Sequence, residues 1–154
     1  MSTEANVEVM IEIFAAIERR DLPGVFGRCQ PDVEFHWPPS LPYGGTTPRS
    51  AWAETWVPLQ PTAAEQRMDP RVVAATDEEV VVLWQQRGAS PTGERFDGPV
   101  LGLYRIREGK LARAQMFYFD TVALASFLAH APSDAGGNAP WRGGVAGAPA
   151  PRAG

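Results

Sequence analysis

The spacing of apolar residues near the N-terminus predicts two helices joined by a turn. Apolar side chains recur every three or four positions between Glu4 and Arg20, and charged residues fill many of the positions between them. Such spacing places the apolar residues on one face of a helix. Asp21 then fits the N-cap of a short second helix with Pro23 in its first turn, since both residue types are favoured at helix starts.

Alternation of apolar and polar residues predicts the strands. In residues 31–37, the apolar Val33, Phe35 and Trp37 fall on one face, the polar residues fall on the other, and Pro38 ends the strand. Four further strands are predicted, with the sequence REGK as a tight hairpin between the last two. They cover residues 65–75, 80–87, 99–107 and 111–119.

Two more helices are predicted from capping residues and spacing. Residues 47–60 are expected to form a third helix that Thr47 and Pro48 open. Trp52 and Trp56 stand four positions apart, so they are expected to project from one side of it. Residues 120–130 are expected to form a closing helix, capped by Asp120 or Thr121.

The order of these elements, helices first and then a run of long strands, predicts an α+β domain over residues 3–130. Three N-terminal helices are expected to lie over one curved antiparallel sheet. Such a sheet encloses a cone whose open end suits a ligand. Residues 131–154 are mostly Ala, Gly and Pro, too poor in packing groups to offset the entropy of ordering them, so a disordered tail is expected.

The composition argues against several classes of function. With 154 residues, 44% of them hydrophobic, and a net charge of −4, the chain is expected to be one domain that does not bind nucleic acid. The sequence shows no signal-peptide pattern and no apolar stretch long enough to span a membrane, and Cys29 can form no internal disulfide, so a cytoplasmic location without a membrane partner is expected. The only histidines are His36 and His130, and no glycine-rich phosphate loop is present, so neither a metal nor a cofactor is expected.

Three stretches of the sequence resemble a known family. They are AIERRDLPGVFGRCQPDVEFHWP, YGGTTPRSAWAETW and GLYRIREGKLARAQMFYFDTVAL. With the intervening strands they cover nearly all of residues 3–130, and they are similar to the nuclear transport factor 2-like superfamily, within it to the SnoaL-like polyketide cyclases and their ketosteroid-isomerase relatives. The resemblance implies a cone-shaped fold, an apolar cavity for a hydrophobic small molecule and often a homodimer formed through the sheet.

The chain departs from the ketosteroid isomerases at their catalytic positions. Trp37 stands where they have an aspartate before the proline that ends the first strand. The first helix has no tyrosine, and the aspartate of their oxyanion hole aligns with Gly102. These departures argue against isomerisation by that machinery.

Four polar residues are candidates for catalysis. Histidine changes charge near neutral pH, which suits His36 to general-base work, although the alternation of its strand points it away from the inward face. Tyr43, in the proline-stiffened loop PPSLPYGG, is expected to overhang the cavity, where it either donates a hydrogen bond to a carbonyl or only covers the core. Gln115 is expected to face inward and to contact the substrate or Gln86. Asp120 either caps the last helix or acts as a base.

Aromatic residues are expected to line the cavity. Together with Gln86, the candidate substrate-binding residues are Trp37, Trp52, Trp56, Trp84, Tyr104, Phe117 and Phe119. Their ring area suits a flat, polyunsaturated or polycyclic guest. The expected function is a cofactor-free cyclase of polyketide antibiotic biosynthesis that closes a ring by orienting its substrate. An aldol-type cyclase or isomerase with His36 or Asp120 as base stays open, as does a non-catalytic module that binds a small hydrophobic ligand.

Overall fold

A computed structural model describes residues 2–41, 45–49, 67–89 and 93–130. The described helices are α1 (Thr3–Glu18), α2 (Leu22–Gly27) and α3 (Thr121–His130). Each is preceded by a capping side chain that accepts a backbone N–H: Ser2 at 3.1 Å, Asp21 at 3.0 Å and Asp120 at 2.9 Å. Because these side chains satisfy N–H groups that a helix start leaves unpaired, the starts predicted at Asp21 and Asp120 are confirmed.

The described strands form one curved, unclosed sheet in the order β2-β1-β6-β5-β4-β3. They are β1 (Cys29–Trp37), β2 (Gly45–Pro48), β3 (Arg71–Ala75), β4 (Glu79–Ala89), β5 (Arg95–Arg107) and β6 (Lys110–Tyr118). The pair β1–β6 is parallel and the other pairs are antiparallel. The expectation of a wholly antiparallel sheet is therefore wrong at one pair, because the meander from β3 to β6 returns to β1 in the same direction as β1.

The hairpin between β5 and β6 has the turn that its sequence predicts. Glu108 and Gly109 both have positive φ, 52° and 74°. Positive φ at both central residues is the mark of a type I′ turn, whose twist matches that of the two strands.

Residues Gly45–Pro48 form a strand where the sequence suggested the start of a helix. They pair antiparallel with Glu34–Trp37, so the proline-rich loop reverses the chain. Thr47 precedes Pro48, and the residue before a proline is sterically biased towards extended conformations. Thr47 and Pro48 thus belong to β2 and not to the helix predicted over residues 47–60, but Arg49, directly after Pro48, is helical. Residues 50–60 of that predicted helix lie outside the described residues.

A β-bulge decides which face of β6 points inward. Arg105 of β5 pairs with Arg113 and the next residue of β5 pairs with Leu111, so Ala112 is an extra residue on β6. The insertion reverses the alternation, since Leu111 and Ala114 are both buried although three positions separate them. Residues beyond the bulge therefore face the side opposite to the one that simple alternation from Leu111 predicts.

Helix α1 is fixed against the sheet at both ends. The Asn6 amide donates to the carbonyl of Asp77 in the turn between β3 and β4 at 2.9 Å. At the other end, the Glu18 carboxylate accepts from the backbone N–H of Met68 at 3.0 Å. The Met68 carbonyl in turn accepts from the Gln85 N–H of β4 at 2.7 Å. These bonds hold the apolar face of α1 over the inner face of the sheet.

Candidate functional site

A pocket lies between α1 and the inner face of the sheet. Its atom-free space, including the part open to solvent, is about 430 Å³, and the centres of water-sized spheres can occupy about 40 Å³ of it. Its described lining residues are Met10, Ile13, Phe14, Ile17, Val25, Phe35, Trp37, Met68, Trp84, Tyr104, Leu111, Ala114 and Met116. Among these, Tyr104 alone has an ionisable side chain. The pocket is thus narrow, and its described lining is almost wholly apolar.

Gly102 gives the Tyr104 ring its place in the pocket. A β-carbon at Gly102 would lie 2.1 Å from the Tyr104 hydroxyl oxygen and 2.3 Å from ring atoms Cε2 and Cζ. No side-chain atom fits at such distances, so a glycine is required for the ring to lie over this part of β5. Gly102 therefore makes room for an aromatic ring.

Tyr104 is buried in a cluster of aromatic rings. The Phe14 ring meets those of Trp84 and Tyr104 edge-on, each at a centroid distance of 5.9 Å. Burial raises the pKa of Tyr104 above its usual range, and a hydrogen bond from the Trp84 indole offsets that rise only in part. The phenol is therefore protonated at neutral pH, where it can donate a hydrogen bond to a carbonyl but cannot act as a base.

Part of the predicted substrate-binding set lies in the pocket wall. The predicted residues found there are Trp37, Trp84 and Tyr104. Gln86 faces the same side of β4 as Trp84 and is 1% exposed. Trp52 and Trp56 lie outside the described residues. The role of each residue in binding stays a prediction.

The predicted inward placement of Gln115, Phe117 and Phe119 is wrong. Phe117 is 50% exposed and Phe119 86% exposed. The Gln115 side-chain oxygen accepts from the Arg113 guanidinium at 3.0 Å on the outer face of the sheet. The physical reason is the bulge at Ala112, which reverses the alternation of β6.

Other residues of β6 take the inward positions. Ala114 and Met116 lie in the pocket wall, and the buried Tyr118 ring packs edge-on against Trp84 at a centroid distance of 6.3 Å. Gln86 and Gln115 consequently lie on opposite faces of the sheet. The predicted pairing of their amides is wrong for the same reason.

His36 points to the outer face of the sheet, as the alternation of β1 predicts. Its Nε2 lies 3.0 Å from the Glu34 carboxylate and its Nδ1 lies 3.2 Å from the Thr46 hydroxyl. Its neighbours Phe35 and Trp37 are buried on the pocket side. Both imidazole nitrogens are therefore engaged outside the pocket.

Asp120 has the capping role that the sequence predicts as one of two alternatives. Its Oδ1 accepts from the backbone N–H of Ala123 at 2.9 Å at the start of α3. The side chain is exposed and does not line the pocket. The fourth catalytic candidate, Tyr43, lies outside the described residues.

The helix side of the pocket is the part that sequence reasoning missed. The pocket-lining residues of α1 are Met10, Ile13, Phe14 and Ile17. Their helical spacing predicts that they face the core, but the same spacing fits solid packing and a pocket wall equally well. Met68 also lines the pocket. It falls within the strand predicted over residues 65–75, but residues 67–70 have no regular structure and the strand begins only at Arg71, so the prediction is wrong for this part.

The part of the chain that the structure describes contains no candidate metal site. No three His, Cys, Asp or Glu side chains there are arranged to hold a metal ion. Cys29 is buried, and its thiol donates to the carbonyl of Val25 at 3.3 Å. Among the described helices, none combines the length and apolarity needed to cross a membrane.

Comparison with known proteins places this geometry in a family. Residues 10–114 match the profile of the SnoaL-like domain. No curated protein matches the chain. Many solved structures do, and three of them illustrate the likeness.

The three structures share the fold at low sequence identity. TerC, crystallised with polyporic acid, has a TM-score of 0.67 and 23% identity over 81% of this chain and 98% of its own. A nuclear transport factor 2-like protein from Burkholderia xenovorans LB400 has a TM-score of 0.64 and 25% identity over 83% and 98%. IdmH from Streptomyces antibioticus, a candidate polyketide cyclase, has a TM-score of 0.63 and 20% identity over 80% and 98%. The predicted nuclear transport factor 2-like fold is thereby confirmed.

Proposed function

The chain belongs to the SnoaL-like domain family, and from that premise we propose that it is a cofactor-free cyclase of polyketide antibiotic biosynthesis, which binds a hydrophobic, polyunsaturated intermediate and closes a ring in it. The observation that carries the proposal is the apolar pocket, whose described lining includes one ionisable side chain, the protonated Tyr104. IdmH, a candidate polyketide cyclase of the same fold, supports this class of substrate.

Orientation is the main source of rate acceleration in this proposal. Holding the two reacting ends of one chain in contact can lower a barrier by up to roughly 7–11 kcal/mol. A cycloaddition needs little beyond that, because two carbon–carbon bonds form from π electrons already present and no proton or leaving group is transferred. The Tyr104 hydroxyl adds a hydrogen bond to a guest carbonyl, which withdraws electron density from the adjacent alkene.

The geometry favours orientation over acid–base chemistry. An aldol cyclisation needs a base that removes a proton from carbon. His36 is bonded to Glu34 and Thr46 on the outer face, and Asp120 caps α3. Neither side chain lines the pocket, so the pathway with His36 or Asp120 as base has no support from their placement.

A binding module without catalysis is the second candidate function. It is favoured by the same observation, since the described lining residues include no group that would be charged at neutral pH. Such a module would hold or shield a hydrophobic ligand. The two functions differ in whether the bound molecule leaves the pocket chemically changed.

One incubation separates the three functions. The purified protein is mixed with deca-1,7,9-trien-3-one, a linear trienone whose intramolecular cycloaddition gives a fused bicyclic ketone, and the products are followed by chiral gas chromatography. We expect cyclisation faster than in buffer, with one stereoisomer in excess, and a severalfold slower reaction in the Tyr104→Phe variant.

Two variants of residues outside the described pocket wall serve as controls. His36→Ala and Asp120→Ser, which keeps a capping hydroxyl, are expected to retain the rate. A thousandfold loss in either variant would establish acid–base catalysis instead. Trienone that binds and is recovered unchanged would establish the binding module.

We also propose that the protein is a homodimer formed through the outer face of its sheet. Leu101 and Phe117 are register partners on β5 and β6, and they are 41% and 50% exposed. Phe119 and Val122, just beyond β6, are 86% and 80% exposed. Exposed apolar side chains grouped in this way are typical of interaction surfaces.

A further inference from the structure

Gln86 is a buried amide whose oxygen has no hydrogen-bond partner in the part of the chain that the structure describes. The side chain is 1% exposed, and Oε1 accepts from no donor among those residues. Its Nε2 makes one long contact, 3.4 Å, with the carbonyl of the next residue, Arg87. Glutamine is seldom fully buried, and a buried acceptor without a donor destabilises a fold, so this side chain calls for a physical explanation.

The described surroundings of Gln86 are apolar and mostly aromatic. On the same face of β4 it follows Trp84, which belongs to the pocket wall. Its register partner on the neighbouring strand β5 is Gly98, where an added β-carbon would lie 2.9 Å from the Phe96 ring. Phe96 in turn packs against Phe127, with ring centroids 6.2 Å apart. An unpaired acceptor among such groups is costly because the local dielectric is low.

Gln86 is not among the described lining residues of the pocket, but it is the next residue after the pocket-wall residue Trp84 on the inner face of β4. Residues on one face of a strand are spaced by about 6.6 Å, so the Gln86 amide follows directly beyond Trp84. The Glu18 carboxylate accepts from Met68 of the pocket wall, and Met68 accepts from Gln85, the residue before Gln86. A guest that extends past Trp84 along the inner face of β4, towards the end of α1, would therefore reach the amide.

We propose that Gln86 is a specificity-determining residue that recognises a hydroxyl group, as an alcohol, phenol or enol, at one end of an otherwise apolar guest. The hydroxyl donates to Oε1, which supplies the donor that the amide oxygen lacks. An ether or ketone oxygen in the same place has no hydrogen to give and leaves Oε1 unpaired. The inference rests on the proposed function, because it needs a guest in the pocket, and it adds the class of guest.

The test uses two probes that differ in one donor. Isothermal titration calorimetry measures the binding of 2-naphthol and of 2-methoxynaphthalene, whose methyl ether has the same ring system and no O–H. We expect the wild-type protein to bind 2-naphthol at least fivefold more tightly, and Gln86→Met to reduce that preference below twofold. Gln85→Met is the matched control, since Gln85 points outward and donates to Asp97 at 2.7 Å, and it is expected to keep the preference.

A second measurement separates recognition from a structural role. Replacing the unpaired amide by an apolar side chain of similar volume should raise the melting temperature of the ligand-free protein, whereas a structural amide would lower it when lost. Equal binding of the two probes by the wild-type protein, a preference that survives in Gln86→Met or a lower melting temperature would overturn the inference and leave the proposed function intact. If neither probe binds the wild-type protein, the proposed function fails, and the inference fails with it.

Discussion

Adding one methyl group at Gly102 tests whether this glycine exists to seat the Tyr104 ring. The new β-carbon would lie 2.1 Å from the Tyr104 hydroxyl oxygen, against 3.4–4 Å for ordinary contacts, so the ring must move by more than about 1 Å. Overpacking of this kind costs about 1–3 kcal/mol, and the reduced entropy of an unfolded chain with alanine returns about 0.5–1 kcal/mol. We expect Gly102→Ala to lower the free energy of unfolding by about 1–2 kcal/mol.

Urea unfolding followed by fluorescence measures this loss, and near-ultraviolet circular dichroism reports the displaced rings. Gly27→Ala is the control, because an added β-carbon there meets nothing within 4 Å and alanine is the better helix former. The decisive comparison is a double-mutant cycle with Tyr104→Ala. If Gly102→Ala is as costly without the Tyr104 ring as with it, or costs nothing in the wild-type background, the reasoning is refuted.

Three other perturbations have outcomes that follow from single features. Arg20 has a φ of 59°, burial lowers its pKa, and its buried guanidinium nitrogens have no partner among the described residues. In urea unfolding, Arg20→Gly should therefore raise the free energy of unfolding by about 1 kcal/mol, whereas Arg19→Gly should lower it. Analytical ultracentrifugation should show that the wild-type protein is a dimer and that Phe117→Asp converts it to a monomer. Ile11→Asp, at a position that is also 50% exposed, should leave the dimer intact. A monomeric wild-type protein would contradict the proposed interface. Because the raised pKa of Tyr104 keeps the phenol protonated, the cyclisation rate should be constant from pH 6 to 9 and fall only at higher pH. A rise or fall of the rate between pH 6 and 9 would show that another group titrates during the reaction.

The fold could be predicted because its signals are local. Apolar spacing in α1, alternation in β1 and the capping residues Asp21 and Asp120 each act within a few positions of the chain. The strand at Gly45–Pro48 was harder to predict, since Thr47 and Pro48 suit both a helix start and an extended segment. Pairing with β1, a contact made across the loop, decides between them.

The face of β6 could not be predicted from alternation, and the candidate site changed with it. The bulge at Ala112 depends on the register between β5 and β6, which no pattern within β6 specifies. One inserted residue moves Phe117 to the outer face and Met116 into the pocket. The same error produced the predicted contact between Gln86 and Gln115, so a single register shift accounts for every misplaced residue of that strand.

The described pocket differs from the isomerase pattern at the two positions that the sequence resemblance aligns with carboxylates. Trp37 and Gly102 leave the described lining without a charged group, and Gly102 lets the protonated Tyr104 phenol occupy the space. In the proposed function, the described lining offers no base that would remove a proton from carbon, but it would hold a flexible apolar chain in one folded shape and polarise one of its carbonyls. The low polarity of this lining would strengthen that hydrogen bond. On this proposal, rings in place of charges favour control over the shape of the guest over acid–base catalysis.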